Sequence, residues 1–211
     1  GGSGSVAAAA CLVDAAGTTV TGRAMRAAAA EADLLPGQVQ ACLEQAGWRA
    51  GEFDLIACGV GPGGFTAIRV GVALARAPAL AAGVPVMAVS TFEALAIAAR
   101  TAGITEPLRI VVPGGRGNWH VQDVDAAGRF GPISTSSTPP GTAAGFQLIG
   151  GEVPEAVQLV TGAEEVALAA VRRLQAGEPG MAGEMLVPLY LRGADAREGA
   201  GRSLLELAGV A

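Results

Sequence analysis

Residues 59–71 form the stretch whose residue types and spacing are most suited to chemistry. Their sequence, GVGPGGFTAIRVG, predicts a strand that ends in a glycine-rich turn, followed by a helix that begins near Thr66. Glycines let the backbone approach another group closely, and the first turn of a helix has free N–H groups. We therefore predict an anion site formed by Gly61, Pro62, Gly63, Gly64, Phe65 and Thr66. The alternative is that the glycines only allow the strand and the helix to pack closely.

Two common phosphate-binding motifs do not fit this turn. All 14 basic residues are arginine, so a P-loop lysine and a Schiff base are both excluded. The spacing of the third glycine also departs from GxGxxG.

Catalytic and metal-ligating residue types are scarce. The chain has one histidine, His120, which excludes a two-histidine metal site, and we predict that it is a surface or core residue. The carboxylates best placed to bind magnesium are predicted to be solvated: Glu31, Asp33, Asp123 and Asp125. The three cysteines are far apart and are predicted to be buried structural thiols: Cys11, Cys42 and Cys58.

The net charge of −5 makes direct, strong nucleic-acid binding unfavourable, because such binding needs many phosphates to be neutralised. If RNA is involved, a partner is expected to hold it. We find no uninterrupted apolar run long enough for a membrane span and no basic leader, so we predict a cytoplasmic protein with no membrane contact.

Hydrophobic periodicity predicts an α/β protein with mixed sheets and flanking helices. A hairpin is expected over residues 6–25, followed by helix, strand, helix, strand and helix up to Arg100. We predict one unit at residues 1–103, which carries the GPGGFT motif, and a smaller α/β unit at residues 104–211. The second unit is expected to contain strands at 108–112, 119–124, 129–133 and 146–149, a loop at 134–145 and a helix at 163–175.

The helix after the glycine-rich turn is apolar on nearly every side, which predicts that it is mostly buried. Pro78 lies inside it, and a proline removes one helical hydrogen bond and collides with the carbonyl of Leu74, so a kink or break is expected. Phe65, Ile68 and Val72 are predicted to pack inwards together.

The stretch GPGGFTAIRVGVALARAPALAAGVPVMAVSTFEALA resembles the corresponding region of the TsaB (YeaZ) family. These are glycoprotease-like proteins of the actin and sugar-kinase superfamily. Supporting similarities are Leu34-Leu35-Pro36, the PLYLR segment at residues 188–192 and, more loosely, residues 116–121. The resemblance runs from about Ala7 to Arg192.

This resemblance implies two ribonuclease H/actin-like units and a non-catalytic accessory role in the threonylcarbamoyladenosine modification of tRNA. The implied partners are a metal-binding, catalytic TsaD-like subunit and a TsaE-like ATPase, with a homodimer when the chain is alone. No peptidase activity is implied, and no cofactor is expected on this chain alone, with ATP or ADP at a subunit interface as a further expectation. Family members use their first helices for contacts, which makes Arg69, Ala73 and Arg76 the candidate partner interface.

Two alternatives remain open. The chain is a nucleotide-binding member of the superfamily if the loop at residues 61–64 holds ATP phosphates. It is a divergent paralogue without a tRNA-modification role if Pro78 disrupts the usual helix interface.

Overall fold

The computed structural model describes residues 6–13, 19–26, 35–49, 53–151 and 153–191. Strands β1 (Val6–Val13) and β2 (Thr19–Arg26) pair in antiparallel fashion, which confirms the predicted hairpin. Helix α1 (Leu35–Ala46) follows and buries Cys42 and Leu43. The side chain of Cys11 and the carboxylates of Glu31 and Asp33 lie outside the described part, so the predictions made for them stay predictions.

Strands β3 (Ile56–Gly61) and β4 (Val86–Ser90) are parallel and are connected by helix α2 (Phe65–Ala82). Helix α3 (Thr91–Thr101) starts directly after β4. A capping box begins it: Ser90 Oγ accepts from Glu93 N at 3.1 Å, and Ser90 N donates to Glu93 Oε2 at 2.7 Å. Two N–H groups at the helix start are thus satisfied, which explains why the chain turns from strand to helix without a loop.

The C-terminal half of the chain contributes a four-stranded sheet with the order β7-β6-β5-β8. In chain order its members are β5 (Leu108–Gly115), β6 (Asn118–Val124), β7 (Ser134–Ser136) and β8 (Gln147–Gly150). The β5–β8 pair is parallel and the other two are antiparallel, so the sheet is mixed, as predicted. Helix α3 covers it by burying Phe92 and Leu95 in one cluster with Leu108 and Ile110 of β5.

The strand predicted at residues 129–133 is wrong. Asp125 Oδ1 accepts from the backbone N–H groups of Ala127 and Arg129, and this turn leaves Phe130 with an isolated bridge to Val124. The next strand is β7, which falls within the predicted loop. Its serine and threonine side chains lie at the sheet edge and show no apolar pattern, so hydrophobicity does not reveal it.

Helix α4 (Ala163–Gln175) has the predicted bounds but packs on the sheet of the N-terminal half. Ala169 and Ala170 share a buried cluster with Met87 and Val89 of β4. Arg173 fixes this contact by donating to Ala88 O at 2.7 Å and to Glu93 Oε1 at 3.0 Å. The division of the chain into units 1–103 and 104–211 stays a prediction.

The break expected at Pro78 and the expected burial of most of α2 are both wrong. The helix runs through Pro78 without a break, and Gly83 then ends it in the left-handed conformation with φ of 66°. Its fully buried side chains are Val72, Ala75 and Ala79, which pack in one cluster with Val60 and Cys58. Burial of this single stripe stabilises the helix on both sides of Pro78 and offsets the lost hydrogen bond. The opposite side of α2 is exposed, so the helix is not mostly buried.

Candidate functional site

The glycine-rich turn joins β3 to α2 through a tightly packed backbone. Gly61 has φ of 95°, and a Cβ added there would lie 2.6 Å from Ile68 Cδ1, so glycine is required for both conformation and space. Pro62 O accepts a hydrogen bond from Thr91 Oγ1 at 2.7 Å, which ties the turn to the start of α3. Close packing of strand and helix thus accounts for Gly61.

Beyond Gly61 the turn opens to solvent. Gly63, Gly64, Phe65 and Thr66 are exposed, and Gly64 caps α2 without a side-chain hydrogen bond. The N–H groups of the first turn therefore have no side-chain cap, which suits an anion. The anion site predicted for residues 61–66 remains a prediction.

Arg69 joins two motifs that lie far apart in the sequence. Its guanidinium carbon is 3.9 Å from the centroid of the Phe65 ring, and its Nε donates to Tyr190 Oη at 3.1 Å. The Phe65 and Tyr190 rings have centroids 6.3 Å apart and are tilted by 47°. This cation–aromatic cluster is at the surface, since Phe65 is 59% and Tyr190 53% exposed.

Tyr190 belongs to the segment of residues 181–190, which contains a short 3₁₀ helix at Gly183–Met185 and which we call the C-terminal strap. Met181 and Val86 exchange two backbone hydrogen bonds of 2.8 Å, Gly183 lies beside Ala79 and Leu80, and Leu189 N donates to Val60 O at 2.9 Å. The strap therefore runs along α2 from its C-terminal end to its N-terminal end. Leu186 is completely buried in the cluster that holds α2 on β3.

The three predicted interface residues of α2 share one face of the helix. Arg69 and Ala73 are exposed and Arg76 is half-buried, and helical spacing aligns them with Phe65 and Leu80. Leu80 is 54% exposed. No ion pair of Arg69 or Arg76 is found within the described ranges. Their role at an interface stays a prediction.

Of the three α2 residues predicted to pack inwards, Val72 is buried and Ile68 packs against the same cluster, whereas Phe65 is exposed. The prediction is wrong for Phe65 because the helix starts there and its ring covers Arg69 instead of the sheet. The contact of Tyr190 with α2 is not visible in the sequence. The PLYLR segment was a separate signal, and one sequence does not show that it lies beside Arg69.

The other candidate residues are structural. His120 is a core residue, 3% exposed, with Nδ1 3.0 Å from Thr135 Oγ1. Asp123 and Asp125 form ion pairs with Arg109 and Arg129. Cys42 and Cys58 are buried, as predicted, and burial raises the pKa of Cys58 to about 11. Among the residues the structure describes, no group of three or more His, Cys, Asp or Glu side chains could hold a metal ion.

Within the part of the chain that the structure describes, α2 has the length and apolar composition of a candidate membrane span. α2 has 18 residues with a mean hydropathy of 1.3, and 11% of that stretch is buried. Its buried stripe packs on the sheet and two arginines lie on its other face, so we interpret it as a surface helix. A cytoplasmic location stays a prediction.

A family model described as tRNA N6-adenosine threonylcarbamoyltransferase (TsaD) matches residues 25–137. A curated protein of that name from Erythrobacter litoralis (strain HTCC2594) is 30% identical over 112 residues, which are 52% of this chain and 32% of that protein. The matched part thus corresponds to about a third of the relative's length.

Two solved structures share the fold. YeaZ from Pseudomonas aeruginosa has 23% identity and a TM-score of 0.71, over 81% of this chain and 89% of YeaZ. A second structure, described as an uncharacterized protein with similarity to peptidase YEAZ from Pseudomonas aeruginosa, has 24% identity and a TM-score of 0.67, over 82% and 88% of the two chains.

Proposed function

The chain belongs to the glycoprotease-like TsaD family, and from this membership we propose that it is an accessory, non-catalytic subunit in the threonylcarbamoyladenosine modification of tRNA. The resemblance to TsaB (YeaZ) proteins and the actin-like α/β fold are both confirmed by these matches. The accessory role, the reaction served and the partner are our proposal.

The exposed face of α2 is the observation that carries this proposal. A surface helix normally presents polar residues to water. Here the outward positions of α2 hold Phe65, Ala73 and Leu80, with Arg69 and Arg76 as the charged groups among them. Small residues between larger apolar ones allow a second helix to approach, and aromatic residues and arginine are enriched at protein interfaces. The face therefore suits protein binding.

Residue chemistry supports the absence of catalysis. His120 is the chain's one histidine and is buried in the β5–β6 sheet, so this chain cannot supply the histidine pair implied for a TsaD-type metal centre. We propose that a TsaD-type partner supplies that centre, and that a TsaE-type ATPase joins the assembly.

Charge favours a different protein as the primary partner over a second copy. The chain has a net charge of −5, yet α2 contains two arginines and no acidic residue. Two copies of this face would place four arginines in one seam, where like charges repel. A partner helix with carboxylates opposite Arg69 and Arg76 would remove that repulsion. Homodimerisation through the same face is the second prediction and is expected to be weaker.

The test is light-scattering chromatography of this protein with and without the TsaD-type protein of the same organism. We expect one shared peak, and we expect Arg69→Glu to separate it into two peaks while leaving the melting temperature unchanged. Arg129→Glu is the matched control, because its side chain is 82% exposed and lies away from α2. Separate peaks for the unmodified proteins would contradict the proposal and favour a divergent paralogue.

Nucleotide binding is a prediction of lower rank. We propose that this chain alone binds no cofactor and that ATP or ADP binds at the subunit interface, beside the uncapped start of α2. The supporting features are the exposed residues 63–66 and the neighbouring Arg69. The test is calorimetric titration with Mg-ATP. We expect no binding heat from the isolated chain and saturable heat from the complex.

A further inference from the structure

Exposed apolar side chains concentrate on α2 and the C-terminal strap. Among the residues that the structure describes, ten large apolar side chains are exposed. Half of them lie on these two elements: Phe65, Leu80, Met185, Val187 and Tyr190. The strap runs beside α2, and the Tyr190 and Phe65 rings have centroids 6.3 Å apart, so the two elements share an apolar contact at the surface. Contiguous apolar patches of this kind on a single chain usually mark binding sites.

We propose that the strap is the second half of the partner-binding surface, with Met185, Val187 and Tyr190 contacting the same TsaD-type protein that contacts α2. This inference rests on the proposed function. It assigns a binding role to Tyr190 of the PLYLR segment and to the residues just before that segment, which the function described above leaves without one.

The residue pattern of the strap supports this role. Gly183, Leu186 and Leu189 face the cluster beneath α2, whereas Met185, Val187 and Tyr190 face outwards and are 63%, 58% and 53% exposed. The inward residues are sufficient to hold the strap on the fold. Polar residues would serve equally well at the outward positions if these only met water, so their apolar character requires another explanation. Contact with a partner supplies one.

The outward side of α2 is smaller than a specific protein interface. An 18-residue helix is about 27 Å long and about 10 Å wide, so the outward side of α2 offers on the order of 270 Å². A specific interface buries about 800 Å² on each partner. α2 alone falls well short of this area, and the adjacent strap roughly doubles the available width. The two elements together offer about 540 Å², which is roughly two thirds of the area that a specific complex buries on each partner.

The chemistry of the combined surface defines the partner's side of the contact. Arg69 and Arg76 lie among apolar side chains, and Tyr190 Oη accepts from Arg69 Nε and holds the guanidinium against the Phe65 ring. An arginine fixed in this way loses little conformational freedom on binding a carboxylate. We therefore expect the partner to present apolar residues to the strap and at least one carboxylate to Arg69.

The test compares two valines that are similarly exposed. Val187 is 58% exposed on the strap, and Val160 is 55% exposed and is not part of the strap. Binding of the full chain to the TsaD-type protein is measured by calorimetry for Val187→Asp, Val160→Asp and a second strap variant, Met185→Asp. We expect both strap variants to weaken binding at least tenfold and Val160→Asp to change it less than about twofold. Melting temperatures show that all three variants are folded.

The outcomes distinguish failure of the strap inference alone from failure of the proposed function. If the strap variants bind like Val160→Asp while Arg69→Glu abolishes binding, the strap has no role and the proposed function stands. If the unmodified proteins do not bind each other, the proposed function fails and the strap inference fails with it.

Discussion

Leu186→Ala tests whether the strap is anchored to the fold as described. Leu186 is completely buried and packs with Val72, Ala75 and Ala79 of α2. Leucine-to-alanine changes at buried sites cost about 2.7–5 kcal/mol, according to how far the site collapses. An open groove of about 370 Å³ lies beside the strap, between residues 79–85 and 180–184, and gives neighbouring groups room to move. We therefore expect Leu186→Ala to lower the free energy of unfolding by about 3 kcal/mol, near the lower limit of that range.

The assay is thermal unfolding followed by circular dichroism. For a chain of this size, each kcal/mol lowers the melting temperature by about 2–4 °C, so Leu186→Ala is expected to lower it by roughly 6–12 °C. Val187→Ala is the control, because an exposed side chain contributes less than about 0.5 kcal/mol. If Leu186→Ala and Val187→Ala lower the melting temperature by the same small amount, Leu186 does not anchor the strap and the packing described for it is refuted.

Three other predictions concern the fold and the thiols. Gly150→Ala is expected to lower the free energy of unfolding, measured in urea, by roughly 2–4 kcal/mol, since Gly150 has φ of 149° and an added Cβ would lie in contact with Val111 O. Gly141→Ala is the control, because a Cβ added there meets nothing within 4 Å. Equal losses in the two variants would contradict the prediction. Cys58 is expected to resist alkylation at pH 8 in the folded protein and to react after unfolding, because its pKa of about 11 keeps the thiol protonated; rapid labelling detected by mass spectrometry would contradict its burial. Titration of the isolated chain with Mg-ATP is expected to give no heat, and saturable heat would favour the nucleotide-binding alternative.

Local signals allowed several elements to be predicted from the sequence. Helix α4 has the predicted bounds. Glu164 and Glu165 lie in its first turn and Arg172 and Arg173 in its last, in keeping with the helix dipole. The Ser90 and Glu93 capping box gave the start of α3. These features depend on residues within one or two turns of each other, so a single sequence is sufficient to show them.

The surface of α2 could not be predicted in the same way. Alanine fits both buried and exposed positions, so an alanine-rich helix gives little periodic contrast, and hydrophobic periodicity does not distinguish its exposed side from its buried side. The contact between Arg69 and Tyr190 spans 121 residues of sequence and depends on how the strap crosses the fold. The candidate site therefore needed the structure, although the residues on α2 were identifiable beforehand.

The position of α4 has a consequence for synthesis on the ribosome. Met87 and Val89 of β4 are covered by Ala169 and Ala170, which are made about 80 residues later. At about 5–20 residues per second, synthesis reaches these alanines of α4 roughly 4–16 s after β4. Until then, this apolar side of the β3–β4 sheet lacks its contact with α4. During that interval Ile97 of α3 covers this sheet face only in part, and the exposed remainder is a risk for aggregation. Successful biogenesis thus depends on completing α4, and chaperone binding is expected to concentrate on nascent chains that end before residue 163.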